Sequence, residues 1–89
     1  MQTLITYDIK SKHNEVKLAM KAKGYFDYWD KNGNSVYLPN TTLWKNDVGP
    51  VTAMIDIKSV TTFLSVKLER AVAVEFNRWD DIPGSPIEE

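Results

Sequence analysis

Thr3-Leu4-Ile5-Thr6-Tyr7-Asp8-Ile9 places β-branched and aromatic side chains at a period of two, with apolar residues on both sides of the alternation. A strand of that kind belongs in the middle of a sheet, covered on both faces. The rest of the chain must therefore supply a neighbour for each of its edges and a layer for each of its sides.

Reading outward, Lys10–His13 is a polar connection, and Asn14 or Ser11 is placed to cap a helix, with Glu15 at the positive end of its dipole. Val16, Ala19, Met20 and Lys23 form one stripe of that helix, flanked by Leu18 and Ala22, and Gly24 supplies the left-handed residue that ends it. Tyr25-Phe26-Asp27-Tyr28-Trp29 is aromatic-rich and strand-like, and Lys31-Asn32-Gly33-Asn34 is a tight turn, since Asn-Gly accepts positive φ at both central positions. Val36-Tyr37-Leu38 continues in extended form to a break at Pro39-Asn40, and Thr41–Trp44 is a short strand.

Residues 46–64 read two ways. Val51, Ala53, Ile55 and Ile57 alternate as in a strand, whereas Ala53, Ile57, Val60 and Leu64 sit at helical spacing. Pro50 suits a first helical turn and Asp47 the position before one, which favours a helix. Leu68–Phe76 closes the pattern as a strand with Leu68, Arg70, Val72, Val74 and Phe76 on one face and Ala71 and Ala73 on the other, flanked by Glu69 and Glu75.

The order strand, helix, strand, strand, helix, strand predicts an α+β fold of the ferredoxin-like βαββαβ type, an antiparallel sheet with both helices on one face. It forms a single domain over residues 1–82, with 83–89 as a C-terminal tail. Apolar residues on both sides of the first strand, the aromatics after the first helix and Trp44 call for something to cover the open sheet face. A homodimer, through that face or through a C-terminal edge segment around Trp79–Ile82, would do so.

Composition narrows the function. With 89 residues the chain has room for one core. It has no cysteine, which excludes a disulfide framework, a thiolate zinc site and a cysteine nucleophile. The longest apolar run, Ala71–Val74, is far too short to span a bilayer, so no membrane partner is expected and the cytoplasm is the default location. Residues 1–25 carry five lysines (Lys10, Lys12, Lys17, Lys21, Lys23) against Asp8 and Glu15, while the remainder is net acidic. That lysine group could contact phosphates or form a solvated helix face. The four glycines are isolated, so no phosphate-cradling loop is present and nucleotide cofactors are not expected.

Leu4-Ile5-Thr6-Tyr7-Asp8-Ile9, followed by a lysine-rich helix, resembles the first strand of the small CRISPR-associated adaptation nucleases and of their VapD-like and SinR-like relatives. Leu38-Pro39-Asn40-Thr41-Thr42-Leu43-Trp44 is similar to the third-strand region of the SinR-like branch, and Leu68–Phe76 followed by Trp79 and Ile82-Pro83-Gly84 also has its counterpart there. The resemblance implies a homodimer in which Asp8 of each protomer binds one shared Mg2+ or Mn2+, whose activated water attacks a phosphodiester of RNA or DNA. Lys10, Lys12, His13 and Lys17 would then contact the nucleic acid. Asp27–Pro39 stands where the nucleases carry an arginine- and serine-bearing segment.

Each residue also has a plainer reading. Asp8 can be a turn former satisfied by backbone amides, and Asp27, Asp30, Asp80 and Asp81 are surface carboxylates. His13 sits among lysines in a polar connection, which suits a solvated imidazole better than a hydrolytic triad. Tyr25, Phe26, Tyr28, Trp29 and Trp44 can stack nucleobases or pack as core and interface. The function expected is thus a metal-dependent endonuclease, or alternatively a non-catalytic nucleic-acid-associated or protein-interaction dimer that keeps the fold alone.

Overall fold

A computed structural model describes residues 1–77. Within them the elements run β1 (Gln2–Ile9), α1 (His13–Ala22), β2 (Tyr28–Lys31), β3 (Asn34–Tyr37), β4 (Thr42–Asn46), α2 (Pro50–Phe63) and β5 (Leu68–Phe76). This is an α+β fold, with an antiparallel three-stranded sheet in the order β4-β1-β5 and a separate two-stranded hairpin, β2-β3. The tail beyond Asn77, including Trp79–Ile82 and the Asp80-Asp81 pair, lies outside the described residues.

β1 is the central strand, as its pattern requires. Ile5 lies opposite Leu43 on β4 and opposite Ala73 on β5. Only one of its faces is fully covered. Thr3, Ile5, Tyr7 and Ile9 are buried, whereas Leu4 and Asp8 are half-buried and Thr6 is exposed. The buried face meets Val16 and Met20 of α1 and Ala53, Ile57 and Val60 of α2 in one core. Thr3 joins that face because its hydroxyl donates to the Val48 carbonyl at 2.5 Å, so its own polar group is paired.

The helix ends differ from expectation in instructive ways. Neither Asn14 nor Ser11 caps α1; the helix begins at His13, and Lys12 precedes it in the left-handed region at φ 58° with no side-chain cap. At the other end Gly24, at φ 100°, closes the helix as read, with its N–H on the Lys21 carbonyl and that of Tyr25 on Met20. Residues 50–63 are helical, and Pro50 starts the helix from Gly49 in extended conformation rather than from Asp47. α2 ends like α1, the N–H of Ser65 bonding the Thr62 carbonyl and that of Val66 bonding Thr61, but here a serine holds the left-handed position at φ 57°. Ser65→Gly should therefore raise the unfolding free energy by about 1 kcal/mol, since the αL penalty of a side chain disappears. Urea denaturation of the two proteins checks this, and a loss of stability would contradict it.

The region after α1 departs furthest from the pattern. Asn32 and Gly33, at φ 51° and 81°, make the predicted tight turn, but the strands it joins are Tyr28–Lys31 and Asn34–Tyr37, which form a sheet of their own. Phe26 alone pairs with the main sheet, through a single bridge to Trp44. The hairpin turns aside and lays Trp29 against the open sheet face, its ring centroid 5.5 Å from those of both Trp44 and Phe76.

β5 holds a second departure. Its register against β1 shifts between Asp8 and Ile9, so that Asp8 faces Arg70 while Ile9 faces Leu68. Glu69 is the extra residue of a β-bulge, and the side-chain alternation reverses across it. Leu68, expected beside Val72 and Val74, instead packs against the core with Ala71 and Ala73.

Candidate functional site

The far end of β1 brings together the residues that matter for chemistry. Thr6, Tyr7, Asp8, Arg70, Ala71 and Val72 line a shallow concavity on the open face, just before the bulge. The regular pairing that runs up to the bulge sets Arg70 directly across from Asp8 on the same face; Nε of the guanidinium donates to Asp8 Oδ2 at 2.7 Å, and Nη2 lies in ion-pair contact with the same oxygen at 2.6 Å. The charge-assisted bond from Nε orients the carboxylate. Oδ1 is left to solvent, with the Asp8 side chain about half exposed.

Each of the three lysines expected to contact nucleic acid has a partner within the chain. Lys10 pairs with Glu69 at 3.6 Å, on the bulge itself. Lys12 donates to the Leu64 carbonyl at 3.0 Å, tying the start of α1 to the end of α2. Lys17 donates to Asn40 Oδ1 at 3.1 Å, bracing the loop before β4. In that loop Thr41 adopts φ 60°, an uncommon conformation for a β-branched residue, while its carbonyl accepts the Tyr7 N–H at 3.1 Å. His13 is half-buried at the start of α1 and lines a cleft with Lys12, Asn14 and Glu15.

The remaining candidates hold structural positions. Asp27 pairs with Lys21 at 3.7 Å, and Asp30 accepts from the Ser35 hydroxyl at 3.3 Å across the hairpin. Among the described residues no group of three or more His, Asp or Glu side chains is gathered to hold a metal ion. The aromatics form a chain of rings: Tyr37 on Tyr28, Tyr28 on Phe26, Phe26 on Trp44, Trp44 on Trp29. The Trp44 indole N–H donates to the Tyr28 carbonyl at 2.8 Å, which secures the hairpin to β4.

Two tyrosines are buried, Tyr25 among the aromatics read as core or stacking residues and Tyr7 within β1. Tyr25 Oη donates to Asp56 Oδ2 at 2.7 Å; burial first, and then the Asp56 carboxylate, push its phenol pKa well up. Tyr7 lies in the core, and burial raises its pKa to about 12 from 10.0. Among the described residues its hydroxyl has no hydrogen-bond partner. An unpaired buried hydroxyl costs about 1–3 kcal/mol, so Tyr7→Phe should stabilise the protein by about 1 kcal/mol at neutral pH.

The same substitution should flatten the alkaline limb of the stability curve. In the unfolded chain the Tyr7 phenol ionises near its ordinary value, whereas in the folded chain it resists ionisation to about 12. Its neutral-form contribution is therefore complete below about pH 10 and is lost as the pH rises towards 12. Urea midpoints of wild type and Tyr7→Phe measured from pH 7 upward should diverge above pH 10; parallel curves would mean that the phenol is solvated.

No family model matches the chain, and no match is found among curated proteins or among solved structures.

Proposed function

We propose that this chain is a ferredoxin-like homodimer that retains the architecture of the adaptation-nuclease group and works as a protein-interaction module rather than as a metal-dependent enzyme. The observation that carries this reading is the state of Asp8. Nε of Arg70 donates to Oδ2, and the guanidinium charge beside the carboxylate weakens its hold on a divalent cation. The lysines argue in the same direction, since Lys10, Lys12 and Lys17 are each engaged within the protomer. The single Phe26–Trp44 bridge supports the fold assignment, because it adds the start of a fourth strand beside β4, giving the order β5-β1-β4-Phe26. Exposed Val72 and Val74, next to half-buried Leu4, supply an apolar patch that a second copy would cover.

The endonuclease reading has one specific observation in its favour: Asp8 Oδ1 is open to solvent on the face through which two protomers would meet. The two readings separate in one experiment. Wild type and Asp8→Ala, purified in parallel, are incubated with RNA and duplex DNA with and without Mg2+ or Mn2+. The interaction reading expects equal background in both proteins and an unchanged dimer by sedimentation. Cation-dependent cleavage present in wild type and lost in Asp8→Ala would replace it with the endonuclease.

A further inference from the structure

α2 is apolar on its outer side as well as its inner one. Ala53, Ile57 and Val60 face the core, yet Val51 (74%), Ile55 (59%) and Phe63 (86%) are left largely exposed on the opposite side. These three, with Ser59, follow one another at intervals of four, which makes a single i±4 ridge running the length of the helix. A solvent-facing helix ordinarily covers that side with charge. Here the fourteen residues of α2 contain only Asp56 and Lys58, and Asp56 is engaged by Tyr25. Beside the ridge lies a cleft between the two helices, lined by Ala19 of α1, by Lys23 just after it and by Ser59, Val60 and Phe63 of α2.

We propose that this face receives an amphipathic helix of a partner protein, laid across α2 with its own apolar ridge in the Ser59–Phe63 cleft and acidic side chains opposite Lys23 and Lys58. The charge of the surroundings selects that partner. Among the described residues neither the Lys23 nor the Lys58 ammonium has an ion-pair or hydrogen-bond partner, and Glu15, the one acid of α1, lies at the far end of that helix. Small Ser59 between Ile55 and Phe63 leaves a gap in the ridge, which accepts a bulky side chain from a crossing helix. A second copy of this chain fits the face poorly. A two-fold axis through the middle of the ridge passes between Ile55 and Ser59, and sets Lys58 against Lys58 of the other copy.

The site lies on the helix side of the molecule and stands independently of the sheet-face dimer. Its test uses the full chain and two synthetic helical peptides with the same leucine ridge, one flanked by glutamates and the other by lysines, each followed by fluorescence anisotropy. The glutamate peptide should bind and the lysine peptide should not. Ile55→Glu and Phe63→Glu, both at exposed positions and checked for unchanged circular dichroism, should each weaken binding at least about tenfold. The double variant Lys23→Glu, Lys58→Glu should reverse the preference. Binding of neither peptide, equal binding of both, or indifference to the two ridge variants overturns the proposal. So does retention of wild type, but not Ile55→Glu, on phosphatidylserine vesicles in place of the glutamate peptide, which would assign the face to a membrane surface. Self-association abolished by Ile55→Glu would assign it to a second copy and overturn the proposal equally.

Discussion

Ile5→Ala is expected to remove about 3–4 kcal/mol of unfolding free energy, the largest single loss on any buried aliphatic side chain of β1. Ile5 is fully buried at the centre of the middle strand, between Leu43 and Ala73 on its two neighbours. Truncation forfeits the transfer free energy of three carbons and leaves a cavity that cannot close, because the walls belong to elements fixed on both sides. For a chain of this length total stability is about 4–13 kcal/mol, so the loss is a large fraction of it. The thermal midpoint should fall by roughly 15–25 °C. At concentrations where the protein is monomeric, Val72→Ala, next to Ala73 on the same strand but on the open face, should change stability by less than about 0.5 kcal/mol. Comparable losses in the two variants would mean that both faces of the sheet are packed.

Trp29→Ala should cost a similar amount, about 3–5 kcal/mol, with the loss distributed differently. The indole of Trp29 is buried against Trp44 and Phe76, and through it the β2-β3 hairpin is held to the three-stranded sheet. The hairpin otherwise joins that sheet by the Trp44 indole bond to the Tyr28 carbonyl and by the paired backbone bonds between Phe26 and Trp44 at its base. An isolated hairpin is marginal in water, so removing the anchor should release it before the rest unfolds. Amide hydrogen exchange gives the check. Protection of residues 28–37 should collapse while amides of β1 keep most of theirs. Equal loss in both regions would show that hairpin and sheet open as one unit. Trp29→Phe should recover much of the difference, since a smaller ring still meets both partners.

How far such a molecule can be read from its residues depends on where the determining forces act. β1, α1 and α2 were legible because their signals are local: a period of two at Thr3–Ile9, a helical stripe at Val16–Met20, Pro50 in a first turn. Gly24 and Asn32-Gly33 were legible for the same reason, since positive φ is a property of the residue itself. The bulge at Glu69 was not. Nothing within Leu68–Phe76 departs from alternation, and the shift becomes visible only when Ile9 is paired with Leu68. The separate hairpin was hidden likewise, because Phe26–Trp29 is as apt for an edge strand as for a flap, and Trp29 chooses by packing on two rings distant in sequence. At the candidate site Asp8 was picked out, but its partner Arg70 was read simply as one face of the last strand. Register, which no local pattern encodes, decides that the two meet.

The strand order has a further consequence, for synthesis. β1 takes β4 on one edge and β5 on the other, and Gln2 finally lies opposite Phe76. At about 5–20 residues per second, roughly 3–13 s pass between the emergence of β1 and that of β5. Throughout that interval the central strand of the sheet has an unfilled hydrogen-bonding edge, and pairing with another nascent chain competes with waiting for its own last strand. Ribosome-associated chaperones that shield extended apolar segments should therefore matter more to the yield of this protein than its modest size suggests.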